Sequence, residues 1–188
     1  MKKINLLLLG FVFIVSIFIV ACSSNDTVKN DEMIISVDYS NEHNISGMGL
    51  DYKLKNIKPG KYNISLYSKE FSKGKFVKNQ DLYNTTLNLK KKMDEYNISI
   101  YQENEEIKLL TGESEWNNIT LDFFDKNISG RALFQLETDK KIELNKDLPI
   151  AGYIVGDNVK DIKDSNIDTI SNHNADNEIV IYLKITNI

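Results

Sequence analysis

Hydrophobic and polar residues alternate along most of the chain after residue 32. Apolar side chains take every second position in Ile35–Tyr39, Leu50–Leu54 and Tyr62–Leu66, as expected for strands whose successive side chains point to opposite faces. No segment shows a sustained helical period. The pattern predicts roughly nine to eleven short strands. Further strands of this kind are predicted at 87–89, 96–100, 119–123, 134–136, 142–144, 150–155 and 179–185.

Strands with one apolar and one polar face are typical of antiparallel sheets that are solvated on one side. Two such sheets bury their apolar faces against each other. We therefore predict an all-β fold, an antiparallel β-sandwich of immunoglobulin-like or jelly-roll-like type, with a closed barrel as the alternative. Residues 134–136 and 142–144 are predicted to form a hairpin around Asp139-Lys140.

Two stretches of the chain, 54–67 and 89–101, resemble each other. Each has a strand, a turn and a second strand that begins Tyr-Asn-Ile-Ser, at Tyr62 and at Tyr96. A duplication would explain the similarity, and so would two similar strands under one codon bias. In a duplication, matching residues would occupy the same type of sheet face, and these are Asn63, Ser65 and Tyr67 in one copy and Asn97, Ser99 and Tyr101 in the other.

The N-terminus has the three parts of a secretion signal. Lys2 and Lys3 are followed by an apolar run from Leu6 to Val20, then by the small Ala21 and by Cys22. The run has roughly 15 residues, whereas a helix needs about 20 to cross a bilayer. A cleaved signal is therefore favoured over a transmembrane anchor.

The sequence Ile19-Val20-Ala21-Cys22 resembles the lipobox of bacterial lipoproteins. The resemblance covers the signal region alone and implies nothing about the mature fold. It implies cleavage before Cys22 and lipid on its thiol, with the protein anchored on the extracytoplasmic face of the cell membrane. The implied segments are a signal peptide at 1–21, a lipidated tether at 22–31 and a single sandwich domain at 32–188.

Charge and cysteine content narrow the possible partners. The chain has a net charge of −4, and removal of Lys2 and Lys3 with the signal leaves −6. A mildly acidic domain without a basic cluster argues against nucleic acid as a partner. Cys22 is the only cysteine, so no internal disulfide can form. Apart from the lipid, we expect no cofactor unless calcium binds.

No arrangement of residues in the sequence predicts catalysis strongly. His43 and His173 both lie in polar stretches, and there is no Gly-X-Ser-X-Gly motif to supply a serine nucleophile. Glu113 and Glu115 lie two residues apart just before Trp116 and are candidates for a glycosidase pair, but a solvated turn is the favoured explanation of these residues. We predict a protein that is not an enzyme, with a carboxylate-based hydrolase of envelope polysaccharide as an alternative.

An acidic segment near the C-terminus is a weak candidate for a metal site. Four aspartates lie within residues 156–177 at a spacing that would place them on one face of a helix, and carboxylates are the ligands that calcium prefers. The alternative is a long solvated loop. The four residues are Asp157, Asp161, Asp164 and Asp168.

Trp116, Tyr67 and Tyr101 are the candidate ligand-binding residues, because an aromatic and polar sheet face can stack on a sugar or peptide and hydrogen-bond to it. The alternative is that Trp116 belongs to the core. The leading functional prediction is a membrane-anchored, non-enzymatic module that binds a glycan or a protein of the cell envelope. A structural or accessory subunit of an envelope complex is the second possibility.

Overall fold

The computed structural model describes residues 32–38, 48–103, 106–112, 117–120, 130–156, 167 and 176–188. These residues form eleven strands and no α-helix. The strands are β1 Ile34–Asp38, β2 Met48–Ile57, β3 Gly60–Ser72, β4 Lys75–Leu89, β5 Met93–Glu103, β6 Glu106–Thr111, β7 Asn117–Thr120, β8 Arg131–Gln135, β9 Lys140–Lys141, β10 Asp147–Val155 and β11 Asn177–Asn187.

The strands build two antiparallel sheets that pack against each other, which confirms the predicted all-β sandwich. The six-stranded sheet has the order β7-β6-β5-β2-β1-β9, and the five-stranded sheet has the order β4-β3-β11-β10-β8. One apolar core lies between them because the period-two pattern turns every second side chain inward. Its buried residues include Leu50, Leu54, Ile98 and Ile100 from the first sheet and Ile64, Leu66, Leu183 and Ile185 from the second.

A single long ribbon runs through both sheets. Strands β3 and β4 pair from the Lys73–Gly74 turn back to Gly60 opposite Leu89, and β2 and β5 continue the pairing, offset by one residue, from Ile57 opposite Met93. Each of the two arms of the ribbon, β2–β3 and β4–β5, passes from one sheet to the other at a bend between these two pairs of residues. The two similar stretches of sequence are therefore the two facing arms of one ribbon, each passing through its own bend.

Two hydrogen bonds made by tyrosine hydroxyls connect the sheets. Tyr52 of β2 donates a hydrogen bond of 2.5 Å to the carbonyl oxygen of Ile150 in β10. The hydroxyls of Tyr83 and Tyr96 lie 3.3 Å apart, one from each sheet. Because buried polar groups need partners, these bonds fix how the sheets lie over each other.

The predicted hairpin around Asp139-Lys140 is wrong. β8 pairs with β10 in the five-stranded sheet, whereas β9 pairs with β1 in the other sheet. The chain crosses between sheets here, and the apolar residues on either side, Leu136 and Ile142, are buried in the common core rather than opposite each other. The alternation predicts which side chains are buried, but which strands pair depends on contacts between residues distant in sequence.

Two further predictions differ from the structure, one about a strand and one about the segment 156–177. Strand β6 was not predicted, although Ile107 and Leu109 alternate with polar residues and are fully buried. Within residues 156–177, predicted as a metal site or a solvated loop, Ile167 is buried and belongs to the core cluster. At Ile167, therefore, the segment packs against the domain.

Candidate functional site

The structure places Tyr67 and Tyr101 in different sheets. Tyr67 follows the buried Leu66 in β3 of the five-stranded sheet, and Tyr101 follows the buried Ile100 in β5 of the six-stranded sheet. Both tyrosines thus lie on outer faces, as the sequence similarity predicted. Because the outer faces of a sandwich point in opposite directions, the two do not form one platform.

The side chain of Tyr101 packs against the neighbouring strand of its own sheet. Its ring covers Gly49, the residue directly opposite on β2, and only 3% of the residue is exposed. Its hydroxyl donates to both carboxylate oxygens of Asp51 at 2.9 Å. Burial, and after it the bond to Asp51, raises the pKa of Tyr101 above its usual value. The ring therefore offers no free face to a ligand.

Tyr67 instead belongs to an aromatic pair on the surface. It lies opposite Tyr182 of β11, and the two rings stack with centroids 5.4 Å apart and planes within 12° of each other. The ammonium of Lys69 lies 4.4 Å from the Tyr182 centroid and 5.5 Å from that of Tyr67, within range of a cation–π interaction. Both rings remain partly exposed.

A carboxylate completes this cluster. Asp147, at the start of β10, accepts a hydrogen bond from Tyr67, and its oxygens lie 3.3 Å from the ammonium of Lys184 and 3.7 Å from that of Lys69. The Tyr67 hydroxyl, followed by Lys184 and Lys69, holds the pKa of Asp147 below its usual value. We call these five residues, Tyr67, Lys69, Asp147, Tyr182 and Lys184, the tyrosine patch.

The pKa of each tyrosine in the patch is raised. For Tyr67 the largest cause is burial, and the hydrogen bond to Asp147 comes next. For Tyr182 burial again comes first, followed by the negative charge of Asp147. Both hydroxyls therefore stay protonated at neutral pH, the Tyr67 hydroxyl as the donor to Asp147.

Irregularities in the neighbouring strands flank the aromatic pair. Beside Tyr67, the register of β4 skips Leu82, and beside Tyr182 the register of β10 skips Ile150. A β-bulge sharpens the local twist and changes the direction of nearby side chains, and bulges are frequent near functional sites. The tyrosine patch thus lies where the five-stranded sheet bends on both sides.

A small open cavity of about 90 Å³ adjoins the patch. Asp147 belongs to both, and the apolar lining includes Leu148 and Leu183 with Lys146 among the charged residues. Cavities that enclose a drug-sized ligand measure roughly 300–1,000 Å³. Leu183 and Ile185 face the core, so the cavity lies on the inner side of the sheet, and a ligand of the tyrosine patch would lie along the outer face.

Most of the other predicted site residues lie outside the described part of the chain. Within that part, no three histidine, cysteine or acidic side chains are grouped to hold a metal ion, and no helix is long and apolar enough to cross a membrane. The residues outside it are Cys22, His43, Glu113, Glu115, Trp116, Asp157, Asp161, Asp164, Asp168 and His173.

Sequence reasoning found Tyr67 but missed its partners. Tyr182 and Asp147 reach it only through the pairing of β11 with β3 and with β10, over separations that local pattern does not encode. The alternation of Tyr182 with Ile181 and Leu183 did mark its side chain as outward-facing. No protein-family model, curated protein or solved structure matches this chain, so the site is interpreted from its own geometry.

Proposed function

We propose that the chain is a lipid-anchored binding module of the bacterial cell envelope, and that it recognises its ligand without catalysis. The lipobox-like sequence ending at Cys22 supports an anchor on the extracytoplasmic side of the membrane. The tyrosine patch, on the outer face of the five-stranded sheet, is the proposed ligand surface.

The observation that carries this proposal is the partly exposed Tyr67–Tyr182 pair with charges of both signs within a few ångströms. Aromatic rings supply apolar contact and a polar tip, while lysines and an ionised carboxylate supply donors and acceptors. A ligand with flat apolar faces and many hydrogen-bonding groups suits this combination. Envelope glycans and peptides are ligands of this kind.

Titration with soluble glycan and peptide fragments of the cell wall tests the proposal. Truncation in Tyr182→Ala removes half of the aromatic surface, and we expect the affinity to fall about tenfold, the effect of roughly 1.4 kcal/mol. Tyr67→Phe, which keeps the ring and removes the hydroxyl that bonds Asp147, should have a smaller effect.

Tyr101→Phe is the matched control, because Tyr101 also donates to an aspartate but lies on the other sheet. Its affinity should equal that of the unmodified protein. Absence of binding to all fragments, or equal loss in the Tyr101 and Tyr182 variants, would remove the basis for the proposal.

A further inference from the structure

Two large apolar side chains, adjacent in sequence, are exposed just after the turn between β3 and β4. Phe76 is 59% exposed and Val77 is 56% exposed. Lys73 and Gly74 form the turn itself, each with positive φ. We call residues 73–78 the hairpin tip. Single exposed apolar residues need no explanation, but a contiguous pair at the end of a ribbon does.

The local geometry holds this pair outward. Phe71 lies opposite Phe76 and Glu70 lies opposite Lys78, so Val77 is the extra residue of a bulge without a partner. The rings of Phe71 and Phe76 meet edge to face with centroids 6.1 Å apart. The bulge interrupts the alternation of side chains, and both apolar residues are consequently presented to solvent.

Hydrogen bonds brace the turn from the other side. The backbone nitrogen of Lys73 and the hydroxyl of Ser72 both donate to the carbonyl oxygen of Asp176, at 3.3 and 3.1 Å. The exposed pair therefore lies on a supported turn and not on a free loop.

Lysines lie next to the pair in the hairpin. Lys73 and Lys75 form no ion pair among the described residues, whereas Lys78 is bound to Glu70 at 3.2 Å. The tip thus combines apolar side chains with two lysines that form no ion pair within the described part of the chain.

The hairpin tip lies at the end of the sandwich opposite to Glu32, where the described domain begins. The amide of Asn56 donates to the carbonyl of Glu32, and the nitrogen of Ile188 donates to Lys61, which places these residues beside the start of β3. Strand β3 has 13 residues, and at about 3.3 Å per residue it spans about 40 Å from there to the tip.

We propose that the hairpin tip docks onto an anionic lipid surface. Phe76 and Val77 enter the boundary between headgroups and acyl chains, and Lys73 and Lys75 bind lipid phosphates, with their apolar stems along the interface. A protein partner fits less well, since a stable interface takes about 800 Å² from each side with an apolar centre. Strand addition at β4 is also disfavoured, because bulges at Val77 and Leu82 interrupt that edge.

The test uses the full chain, held in nanodiscs of phosphatidylcholine so that its N-terminal segment is already accommodated. Vesicles of phosphatidylcholine with or without phosphatidylglycerol are then added, and co-sedimentation is measured. We expect capture by the anionic vesicles. Substitution of both apolar residues, Phe76→Ser with Val77→Ser, should lower the partition coefficient at least about tenfold, and Lys73→Gln with Lys75→Gln should lower it about thirtyfold for anionic vesicles alone.

Leu144→Ser with Ile188→Ser is the matched control, because both residues are exposed apolar side chains near the opposite end. This variant should bind as the unmodified chain does. The proposal is overturned if the variant with Phe76→Ser and Val77→Ser is captured as well as the unmodified chain. It is also overturned if the control variant loses as much capture as that variant does.

A second measurement does not depend on disruptive variants. Phe76→Trp in a Trp116→Phe background leaves one tryptophan, at the tip. Brominated acyl chains in the anionic vesicles should quench its fluorescence if the tip enters the interface. Unquenched fluorescence in sedimented protein would show that the tip is not the inserting element and would also overturn the proposal.

Discussion

Replacement of Gly49 by alanine tests how closely the six-stranded sheet is fitted around Tyr101. Gly49 does not have a positive φ, so alanine is compatible with its backbone conformation. The constraint is space, because Tyr101 lies directly across the strand pair and covers the glycine. An aromatic ring packed over a glycine in this way compensates for the missing side chain.

The structure gives the size of the conflict. An alanine Cβ would lie 2.1 Å from Cε1 and 2.3 Å from Cδ1 of Tyr101, whereas carbon atoms normally approach to about 3.5–4.0 Å. The buried ring would have to move by more than about 1 Å, away from the Asp51 carboxylate that binds its hydroxyl.

Three contributions set the expected loss of stability. Overpacking costs about 1–3 kcal/mol, and a lost hydrogen bond to a charged group costs about 1.5–3 kcal/mol. The smaller conformational freedom of alanine in the unfolded chain returns about 0.4–1 kcal/mol. We expect Gly49→Ala to lower the free energy of unfolding by about 1.5–5.5 kcal/mol.

Urea unfolding followed by far-UV circular dichroism measures this loss, and a double-mutant cycle assigns it. With Tyr101→Ala in the background the clash disappears, so Gly49→Ala should be neutral or slightly stabilising there. The coupling energy should reach about 2 kcal/mol or more. An equal cost of Gly49→Ala in both backgrounds would refute the steric explanation.

Three further substitutions test other parts of the structure. Tyr52→Phe removes the buried hydroxyl that bonds the carbonyl of Ile150, and urea unfolding should show a loss of about 1–3 kcal/mol. The pKa of Asp147 is lowered from 3.8 on folding, so its ionised form stabilises the protein above about pH 4 and this contribution is lost as the pH falls through the lowered pKa. Thermal melts should therefore show Asp147→Asn less stable at pH 7, with the difference shrinking at pH 3; a constant difference would contradict this. Cys22→Ser should abolish incorporation of labelled fatty acid and release the protein from the membrane fraction, and a native chain with an unmodified thiol would contradict the lipid anchor.

Side-chain direction was predictable from sequence because it depends only on the two-residue period of a strand. Tyr62 and Tyr96 were placed on the apolar face, and both are buried in the core. Tyr67 was placed on the polar face, and it is found there. The structure confirms these assignments wherever alternation is uninterrupted, since burying one face of each strand determines which side chains point inward.

The candidate site was only partly predictable, because it depends on which strands are neighbours. The stacking of Tyr67 on Tyr182 requires β3 to pair with the last strand of the chain. Residues that alternate correctly can belong to either sheet, which is why Tyr67 and Tyr101 were grouped together although they lie on opposite faces. The bends that send the ribbon from one sheet to the other, near Asn56 and Lys90, separate the two tyrosines.

The folded ribbon has a consequence for the kinetics of folding. Pairing can start at the Lys73–Gly74 turn and extend residue by residue until Met48 meets Gln102. Each new pair forms beside one already made, so it incurs little of the entropy of loop closure that slows folds with distant contacts. We therefore expect the ribbon to form early, and the pairing of β11 with β3 to be among the slower steps.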